Sequence, residues 1–495
     1  MSEAFRPTIS LVKASSARTI APEQPYWAGN MIHLYLQLSL GLDLEGAEAK
    51  REAKRALEFI RQAADASYLA AREFDGSVLE IHGRTIHLGV PYSAENEVPY
   101  KTNGTAALLH HLLKTTYARS GPNGWRMAAD YGPTVAVQCS GIHQDTSVVS
   151  LSPAANHPAK QLGRKKVGLG QLGVNENGRW VCRDLDELER LNKVIIDSKS
   201  LVKAGSATIL EELKERRAEL FEFSRGTSRG KEARVVNCQA APMGPGSPTS
   251  AEPYSCFGMV VSMDLDGFSA RVEQVSRGSE FEQQKLAFEF RELMAESARF
   301  AEEHRESFIQ FPFAGDNAIF ALVKESVTDY EIMKKVAPVR VAVQWEDRMG
   351  DRARKSNFGG WAQVAAGGGV PHGNSLGNLH IAGISLEGRR FLVGVGPGMR
   401  YAREGFAQVE PDRIHLAMHS PDLGQLHGSL RRLFKACASN NGNVSSNYEM
   451  AEISKLKLCL QDLETEKQKA IAAVAGPNLL LGGSRPIHRP HSRGF

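Results

Sequence analysis

The chain has 495 residues, of which 42% are hydrophobic and 23% are charged, ordinary values for a soluble protein of two or three domains. Its net charge of +4 is too small to favour nucleic acid or a membrane surface as a partner. The six cysteines lack metal-ligand spacing, and no long apolar run predicts a signal peptide or transmembrane helix. We therefore expect a cytoplasmic protein that binds neither nucleic acid nor membrane.

The first part of the chain alternates apolar strands with amphipathic helices. After an N-terminal extension at residues 1–27, an apolar strand ends in a glycine turn at residues 38–42. Helix, strand–turn–strand and strand patterns then follow in that order, at residues 47–74, 79–88 and 125–129. A charged stretch with leucines at helical spacing, residues 184–223, closes this part. We assign residues 28–226 to a first domain.

A segment rich in glycine, proline and serine, residues 227–255, predicts a linker. The patterns after it repeat the earlier order: strand, helix, strand–turn–strand and strand, at residues 256–263, 278–305, 309–320 and 339–344. We assign residues 256–436 to a second domain. Two domains with the same order of elements indicate a duplicated α+β unit, in which an antiparallel sheet carries helices on one face.

The last part of the chain, residues 437–495, predicts a helix followed by a disordered tail. Apolar residues recur in it at heptad-like spacing, at Met450, Ile453, Leu456, Leu460 and Leu463. This stripe fits a core contact, a partner contact or a short homodimer seam. A homodimer through this helix is therefore one expectation.

Two aspartates of the second domain stand at the ends of apolar strands. Asp264 precedes a glycine turn, and Asp316 lies in the hairpin turn of the following strand pair. Carboxylates that converge at neighbouring strand ends suit Mg²⁺ or Mn²⁺, which in turn bind phosphates. The alternative is that each aspartate caps its own turn.

These motifs resemble those of class III nucleotidyl cyclases, whose catalytic domain opens with a strand ending Asp-[Ile/Leu]-x-Gly-Phe-[Ser/Thr] and carries Gly-Asp in the next hairpin. Here residues 264–269 read Asp-Leu-Asp-Gly-Phe-Ser and residues 315–316 read Gly-Asp. The resemblance implies that Asp264 and Asp316 bind two Mn²⁺ or Mg²⁺ ions, with the Leu265 carbonyl as a further ligand. It also implies two ferredoxin-like, palm-type cyclase domains that form a pseudo-dimer.

The first domain resembles the family in a different place. Residues 156–160 read Asn-His-Pro-Ala-Lys, similar to the Asn-x-x-x-Arg helix start in which the asparagine orients the ribose and the cation stabilises the phosphate. Asn156 and Lys160 share one helix face, although lysine lacks the bidentate geometry of arginine. Arg164, one turn further, is the alternative cation. A helix cap and a solvated lysine are the other interpretation.

The first domain lacks both acids, since Leu38 stands where we place the counterpart of Asp264, and Arg84 replaces Asp316. The second domain lacks the asparagine, which Arg400 replaces. The family builds each site across a dimer, with metals from one partner and the base pocket and cation from the other. The resemblance therefore implies one working site, formed between the two domains, in each chain.

The identity of the base depends on two positions. Where adenylate cyclases carry a lysine and an aspartate or threonine, this chain has Glu80 and Val149. Glu80 can accept a hydrogen bond from an N–H of guanine or uracil, and Val149 offers no polar contact. The chain thus looks similar to the pyrimidine cyclases of bacterial antiphage systems. This resemblance implies that UTP is converted to cyclic UMP, an antiviral second messenger.

Three alternatives stay open at this stage. The first is an adenylate or guanylate cyclase in bacterial signalling. The second is a catalytically inactive, cyclase-like regulator that binds a nucleotide. The third, a diguanylate cyclase, is disfavoured because the Gly-Gly-Asp-Glu-Phe turn is absent from the sequence.

Overall fold

The computed structural model describes residues 26–40, 48–117, 124–141, 146–199, 222–227, 230–237, 253–304, 308–356, 358, 360–368, 377–386, 389–406, 415–436 and 447–475. The predicted N-terminal extension up to residue 25 and the predicted tail from residue 476 lie outside this range.

The first domain is built on a sheet that has seven strands in the described residues, in the order β2-β3-β1-β4-β6-β7, with β5 beside β4. The strands are β1 Tyr26–Leu38, β2 Ser77–His82, β3 Thr85–Pro91, β4 Trp125–Ser140, β5 Thr146–Leu151, β6 Gln171–Glu176 and β7 Arg179–Asp184. The helices are α1 Ala49–Arg72, α2 Val98–Leu112, α3 Pro153–Gly163, α4 Leu185–Leu191 and α5 Lys193–Ser198. Strand β1 pairs antiparallel with both β3 and β4.

A short antiparallel hairpin lies between the domains in the chain, formed by β8 Glu222–Thr227 and β9 Gly230–Asn237. Part of the predicted linker at residues 227–255 is therefore regular structure. The next strand, β10, already begins at Tyr254. The linker prediction is wrong for residues 230–237, whose glycine stands at the start of β9, where hairpin strands tolerate it, whereas residues 238–252 lie outside the described range.

The second domain repeats the arrangement in a sheet with nine strands in the described residues, in the order β11-β12-β10-β13-β16-β18-β17, with β14 beside β10 and β15 beside β14. The strands are β10 Tyr254–Asp266, β11 Phe308–Gln310, β12 Ala318–Lys324, β13 Gly360–Gly367, β14 Leu379–Leu386, β15 Arg389–Val395, β16 His415–His419, β17 Lys435–Ala436 and β18 Tyr448–Glu452. The helices are α6 Phe268–Ser276, α7 Glu280–Glu303, α8 Val327–Lys334, α9 Ala337–Trp345, α10 Asp351–Lys355, α11 Pro397–Phe406, α12 Ser420–Leu423, α13 Gly428–Arg431 and α14 Ile453–Ala475. The predicted α+β class, with two sheet-and-helix domains, is confirmed.

One predicted strand is wrong. Residues 339–344 belong to helix α9, and the strand expected there is β13, at Gly360–Gly367. The valines of this stretch favour a strand by propensity, but Pro338 in the first helical turn starts a helix whose apolar face is buried. Tertiary burial of the helix face decides the outcome.

Local sequence explains helix α7, which covers the sheet of the second domain. Ser279 and Glu282 form a reciprocal capping box at its start. Leu286, Phe290 and Leu293 then recur at helical spacing and are buried. The helix therefore carries its own start signal and one apolar face for the core.

The two domains are joined by an exchange of hairpins. Residues of β14 and β15, including Ile384 and Val393, lie in the hydrophobic core of the first domain. Residues of β4 and β5, including Val137 and Val149, lie in the core of the second domain. Each core is thus completed by the other domain, so the pseudo-dimer forms within one chain.

The C-terminal helix α14 also belongs to the second core. Ile453, Leu456 and Leu460 of the predicted apolar stripe are buried there, and Leu463 packs against them. The stripe is therefore occupied by intramolecular contacts. A homodimer through α14 stays a prediction, and it would have to use residues such as Leu458, which is exposed.

Candidate active site

Asp264 and Asp316 lie at the adjacent ends of two paired strands. Asp264 is near the end of β10, and Asp316 lies in the turn just before β12, where Met263 pairs with Ala318. The turn needs Gly315, whose φ of +62° lies in the left-handed region that glycine adopts without strain. Strand pairing and turn geometry together bring both carboxylates to one edge of the sheet.

Ionising either carboxyl group costs free energy at this position. Burial raises the pKa of Asp264 to about 7, and the neighbouring Asp266 adds repulsion. Burial and repulsion from Asp264 raise the pKa of Asp316 well above its ordinary value. The charge of Lys160 opposes both shifts, and Asn317 donates a hydrogen bond to Asp264. A single lysine charge leaves the pair strongly perturbed, as expected of carboxylates that share a cation site.

Helix α3 of the first domain brings the cation to these acids. Its N-cap, Ser152, accepts a hydrogen bond from the Ala154 N–H, which fixes the start of the helix. Lys160 Nζ lies 3.1 Å from the Ser269 Oγ of the second domain, and Asn156 Nδ2 lies 3.5 Å from the same oxygen. Ser269 therefore marks the point where the two domains meet at the site.

A cavity of about 360 Å³ lies between the domains. The first domain contributes Tyr35, Glu80, His87, Asn156 and Lys160 to its wall, and the second contributes Ser262, Asp264, Ser269, Gly315 and Asp316. The volume lies within the range of small-molecule sites. The structure therefore brings together five of the predicted site residues: Glu80, Asn156, Lys160, Asp264 and Asp316.

Glu80 connects the two sides of the cavity. Its carboxyl accepts a hydrogen bond from the Gly315 N–H in the aspartate turn of the other domain. Burial raises the pKa of Glu80 to about 8, even though this hydrogen bond acts in the opposite direction. Glu80 is therefore a buried acid that is mostly protonated at neutral pH.

Three predicted residues lie elsewhere. Val149 is fully buried in the second core and is not among the residues that line the cavity. Arg164 is exposed at the C-terminal end of α3, also outside the cavity. The Leu265 side chain is buried in the second core, and its carbonyl as a ligand stays a prediction.

The donor set at Asp264 and Asp316 fits a divalent cation of the Mg²⁺ or Mn²⁺ type. These ions take oxygen ligands, and a doubly positive charge offsets the repulsion that raises the pKa of both acids. The two carboxylates also face a cavity with room for phosphates. The residues present therefore fit the implied ions.

A second group with metal-compatible spacing lies in the first domain, where ligand atoms of His110, Asp186 and Glu189 are within 4.8 Å of one another. The indole N–H of Trp125 donates to His110 Nδ1 at 3.1 Å. A neutral His110 therefore carries its proton on Nε2 and donates it to Asp186 at 3.2 Å. His110 then has no lone pair left for a metal. We interpret the group as a set of hydrogen bonds that hold α2 against α4.

The counterpart of the aspartate pair in the first domain differs from the prediction. Leu38 points into the hydrophobic core, whereas Asp264 faces the cavity, so the adjacent Gln37 takes the place of Asp264. Gln37 Oε1 accepts hydrogen bonds of 2.9 and 2.6 Å from the Arg126 guanidinium. Burial and the charge of Arg84 lower the pKa of Arg126. A guanidinium thus lies where the second domain has acids.

The sequence analysis missed Tyr35 and His87, which line the cavity. The His87 ring stacks on Tyr35 with centroids 4.0 Å apart and an angle of 10° between the planes. The available signal was the alternation of β3, which places His87 opposite Glu80 in the register.

Comparison with known proteins gives a result for the fold alone. No protein-family profile and no curated protein sequence matches the chain. A class III adenylyl cyclase-like ATP-binding protein from Pseudomonas aeruginosa superimposes with a TM-score of 0.63 at 15% identity, over 91% of this chain and 96% of that one. The chain has the fold of a class III adenylyl cyclase-like protein.

Other solved structures match less closely. A bacterial light-regulated adenylyl cyclase covers 87% of this chain and 99% of its own length, at 10% identity and a TM-score of 0.28. The guanylyl cyclase Cya2 covers 39% of this chain and 88% of its own, at 11% identity and a TM-score of 0.27. Scores this low add nothing to the assignment of the fold. None of the helices in the described ranges has both the length and the apolar character needed to cross a membrane.

Proposed function

We propose that this protein is a nucleotidyl cyclase that converts a nucleoside triphosphate to its 3′,5′-cyclic monophosphate, with UTP as the preferred substrate. In this reaction the 3′-oxygen attacks the α-phosphorus, the bond to the bridging α–β oxygen breaks, and diphosphate leaves while the 3′-hydroxyl proton passes to solvent. The observation that carries the proposal is the composition of the cavity. Acids from one domain and a cation with an asparagine from the other line the same 360 Å³ space.

The residues of the chain have distinct roles in this reaction. Asp264 and Asp316 would hold the two Mn²⁺ or Mg²⁺ ions, which when bound supply the charge that activates the 3′-hydroxyl and neutralises the phosphates. Lys160, on the opposite wall, stabilises the negative charge that develops on the α-phosphate. Asn156, one helical turn earlier on the same face, orients the ribose.

Two observations support nucleotide binding, and one supports the choice of base. The cavity has cationic and carboxylate ends, as a phosphate–metal ligand requires. The neighbour that covers 91% of the chain is described as ATP-binding. Glu80 lies in the wall, and its protonated carboxyl can pair with an N–H donor and an adjacent carbonyl, as uracil and guanine present them. We further propose that the product is an antiviral second messenger.

The test is to incubate the full chain with each of four labelled nucleoside triphosphates and Mn²⁺, and to separate the products by chromatography. The proposal requires a cyclic monophosphate and diphosphate in equal amounts, with UTP as the best substrate. The Asp264→Ala variant, run in parallel, controls for contaminating enzymes. Binding without turnover in the wild type would instead identify a cyclase-like nucleotide-binding regulator.

A further inference from the structure

Helix α3, which brings Asn156 and Lys160 to the cavity, has a proline inside it. Pro158 lies between these two residues in the chain and is buried. A proline has no N–H, so the Ala154 carbonyl cannot receive the hydrogen bond that residue 158 of a regular α-helix would donate. The proline ring also crowds that carbonyl. The hydrogen-bond ladder of the helix is therefore interrupted between the two residues that face the cavity.

A buried aspartate of the sheet holds the part of the helix that precedes the proline. Asp130 lies on β4 and is 5% exposed. Its Oδ2 lies 2.9 Å from Nδ1 of His157, the residue between Asn156 and Pro158. A carboxylate only accepts hydrogen bonds, so this ring nitrogen carries the proton and donates it. The hydrogen bond joins β4 directly to the helical turn that carries Asn156.

The same carboxyl group is fixed in place by two other donors of the first domain. Asp130 Oδ1 accepts a hydrogen bond of 2.8 Å from the Tyr131 N–H, and Oδ2 accepts one of 2.9 Å from Asn175 Nδ2 on β6. At the start of the helix, Ser152 Oγ donates to the Pro133 carbonyl of β4 at 2.8 Å. The first half of α3 is thus attached to β4 at two points, at its N-cap and just before the proline.

The half of the helix that follows the proline is held differently. Leu162 is 1% exposed and belongs to a small apolar cluster of the first domain. Lys160 donates to Ser269 Oγ of the second domain at 3.1 Å. Asn156 Nδ2 lies 3.5 Å from the same oxygen, so this contact holds it only weakly. The position of Asn156 therefore depends on the hydrogen bond of His157 more than the position of Lys160 does.

We propose that Asp130 and His157 are positioning residues, which fix the Asn156 side chain against the ribose of the substrate. His157 is not among the residues that line the cavity, so it acts through its neighbour and not on the substrate. The inference rests on the proposed function, because it takes Asn156 as the residue that orients the ribose. Small displacements of such a group slow a reaction strongly, since only a narrow range of geometries leads to attack.

The test uses four variants of the full chain. His157→Ala removes the hydrogen bond to Asp130, and His157→Gln returns an amide N–H that can reach the carboxyl group. Asn175→Ala is the matched control, because it removes a hydrogen bond of the same length to the same oxygen and leaves the helix attached. Pro158→Ala restores the missing helical hydrogen bond and should make the attachment dispensable. The His157 side chain is 47% exposed, so its replacement leaves the hydrophobic core intact.

Steady-state turnover with Mn²⁺ measures the effect of each variant. We expect His157→Ala to lower kcat about tenfold with little change in KM, and His157→Gln to recover part of this loss. Asn175→Ala and Pro158→Ala should each stay within about twofold of the wild type. In the Pro158→Ala background, the loss caused by His157→Ala should shrink to about twofold, because the helix then holds Asn156 by itself.

Two double variants show whether His157 acts through Asn156. Combining His157→Ala with Asn156→Ala should add almost nothing to the loss from Asn156→Ala alone, because the group that is positioned is already absent. Combining His157→Ala with Lys160→Ala should multiply the two losses. A purely structural role of His157 would multiply the losses in both combinations. Wild-type turnover in His157→Ala, or losses that multiply with Asn156→Ala, would overturn the inference.

The inference and the proposed function can fail separately. Backbone amide hydrogen exchange of α3, measured by mass spectrometry, reports the attachment of the helix without any turnover. If the wild type makes no cyclic product, the cyclase proposal fails. Faster exchange of α3 in His157→Ala than in Asn175→Ala then supports the positioning of Asn156, and equal exchange overturns it. If cyclic product forms and His157→Ala turns over like the wild type, the positioning role fails and the cyclase stands.

Discussion

The two domains share one backbone plan but place opposite charges at its central strand pair. The second domain has Asp264 and Asp316 there, whereas the first has Gln37 held by Arg126, with Arg84 in the turn. Positive side chains repel a divalent cation as strongly as carboxylates attract it. The fold therefore provides the same scaffold twice, and a few side chains give it carboxylates in one domain and cations in the other.

The helices that follow the exchanged hairpins also differ between the domains, and here it is the first domain that carries the polar side chains facing the cavity. Helix α3 presents Asn156 and Lys160 to the cavity beside the acids. Its counterpart α11 has Arg400 at the position of Asn156, and Arg400 donates to the hydroxyl of Tyr401 at 2.9 Å. Each domain has thus kept what the other lacks. If the proposed composite site works, each domain needs to supply only half of its chemistry.

The exchanged hairpins make each domain part of the hydrophobic core of the other. Ile384 of the second domain lies in the first core, and Val137 of the first lies in the second. Neither core is complete alone. The predictions below test this division of roles, beginning with the largest effect.

Removing either of the acids that we propose as metal ligands should have the largest effect. Asp264→Ala and Asp316→Ala each remove several kcal/mol of charge stabilisation, equivalent to a loss of about a thousandfold in kcat. Steady-state assays with Mn²⁺ measure this loss. Asp266→Asn is the matched control, because it removes a neighbouring charge but neither acid, and we expect it to stay within about tenfold of the wild type. Near wild-type turnover in either alanine variant would contradict the metal assignment.

Mixing two inactive chains tests whether the site forms within one chain. We expect an equimolar mixture of Asp264→Ala and Asn156→Ala chains to be no more active than the separate variants, because the intact halves of the site lie in different molecules. The assay is turnover after co-incubation and after co-refolding. Recovery of activity would show that domains pair between chains.

Changes on helix α3 should act on the transition state. Asn156→Ala and Lys160→Ala should lower kcat by about a hundredfold with little change in KM, because both stabilise charge or geometry reached during reaction. The matched control is Arg164→Ala on the same helix, which lies outside the cavity and should have the smaller effect. A rise in KM with unchanged kcat would instead assign Asn156 and Lys160 to ground-state binding.

Removing a buried side chain from the exchanged hairpin should destabilise both domains together. Ile384→Ala removes a side chain that is 2% exposed and should lower the free energy of unfolding by about 2–5 kcal/mol. Urea unfolding followed by tryptophan fluorescence and by circular dichroism measures this change. Leu458→Ala, 64% exposed, is the surface control and should change stability by about 0.5 kcal/mol or less. Two separate transitions in the wild type would argue against mutual completion of the cores.

The pH dependence of stability tests the buried acid Glu80. The folded-state pKa of Glu80 is raised from 4.5 to about 8, so the folded protein keeps a proton that the unfolded chain releases. Stability from this group is fully present below pH 4.5 and is lost as pH rises through about 8. Between pH 5 and pH 8.5 the Tm of the metal-free wild type should therefore fall more than that of Glu80→Gln. Equal slopes would show that Glu80 ionises normally.

The sequence alone determined where the two acids of the second domain lie. The motif from Asp264 to Ser269 and the Gly315-Asp316 pair predicted two acids at neighbouring strand ends, because strand alternation and glycine turns are local properties. Helix α7 was predictable for the same reason, since its capping box and apolar spacing lie within one segment. Asn156 and Lys160 were found by their spacing on one helix face.

The tertiary structure decided what depends on contacts between distant segments. The stretch at residues 339–344 is helical because its apolar face is buried, which outweighs the strand propensity of its valines. Gln37 rather than Leu38 opposes Arg126 because the register of β1 against β4 sets which side chains face the helices. The contact between His33 and His87 joins residues 54 apart in the chain, and the contact between His33 and Thr134 joins residues 101 apart. Such contacts follow from packing alone, because no local pattern in the sequence records which side chains meet.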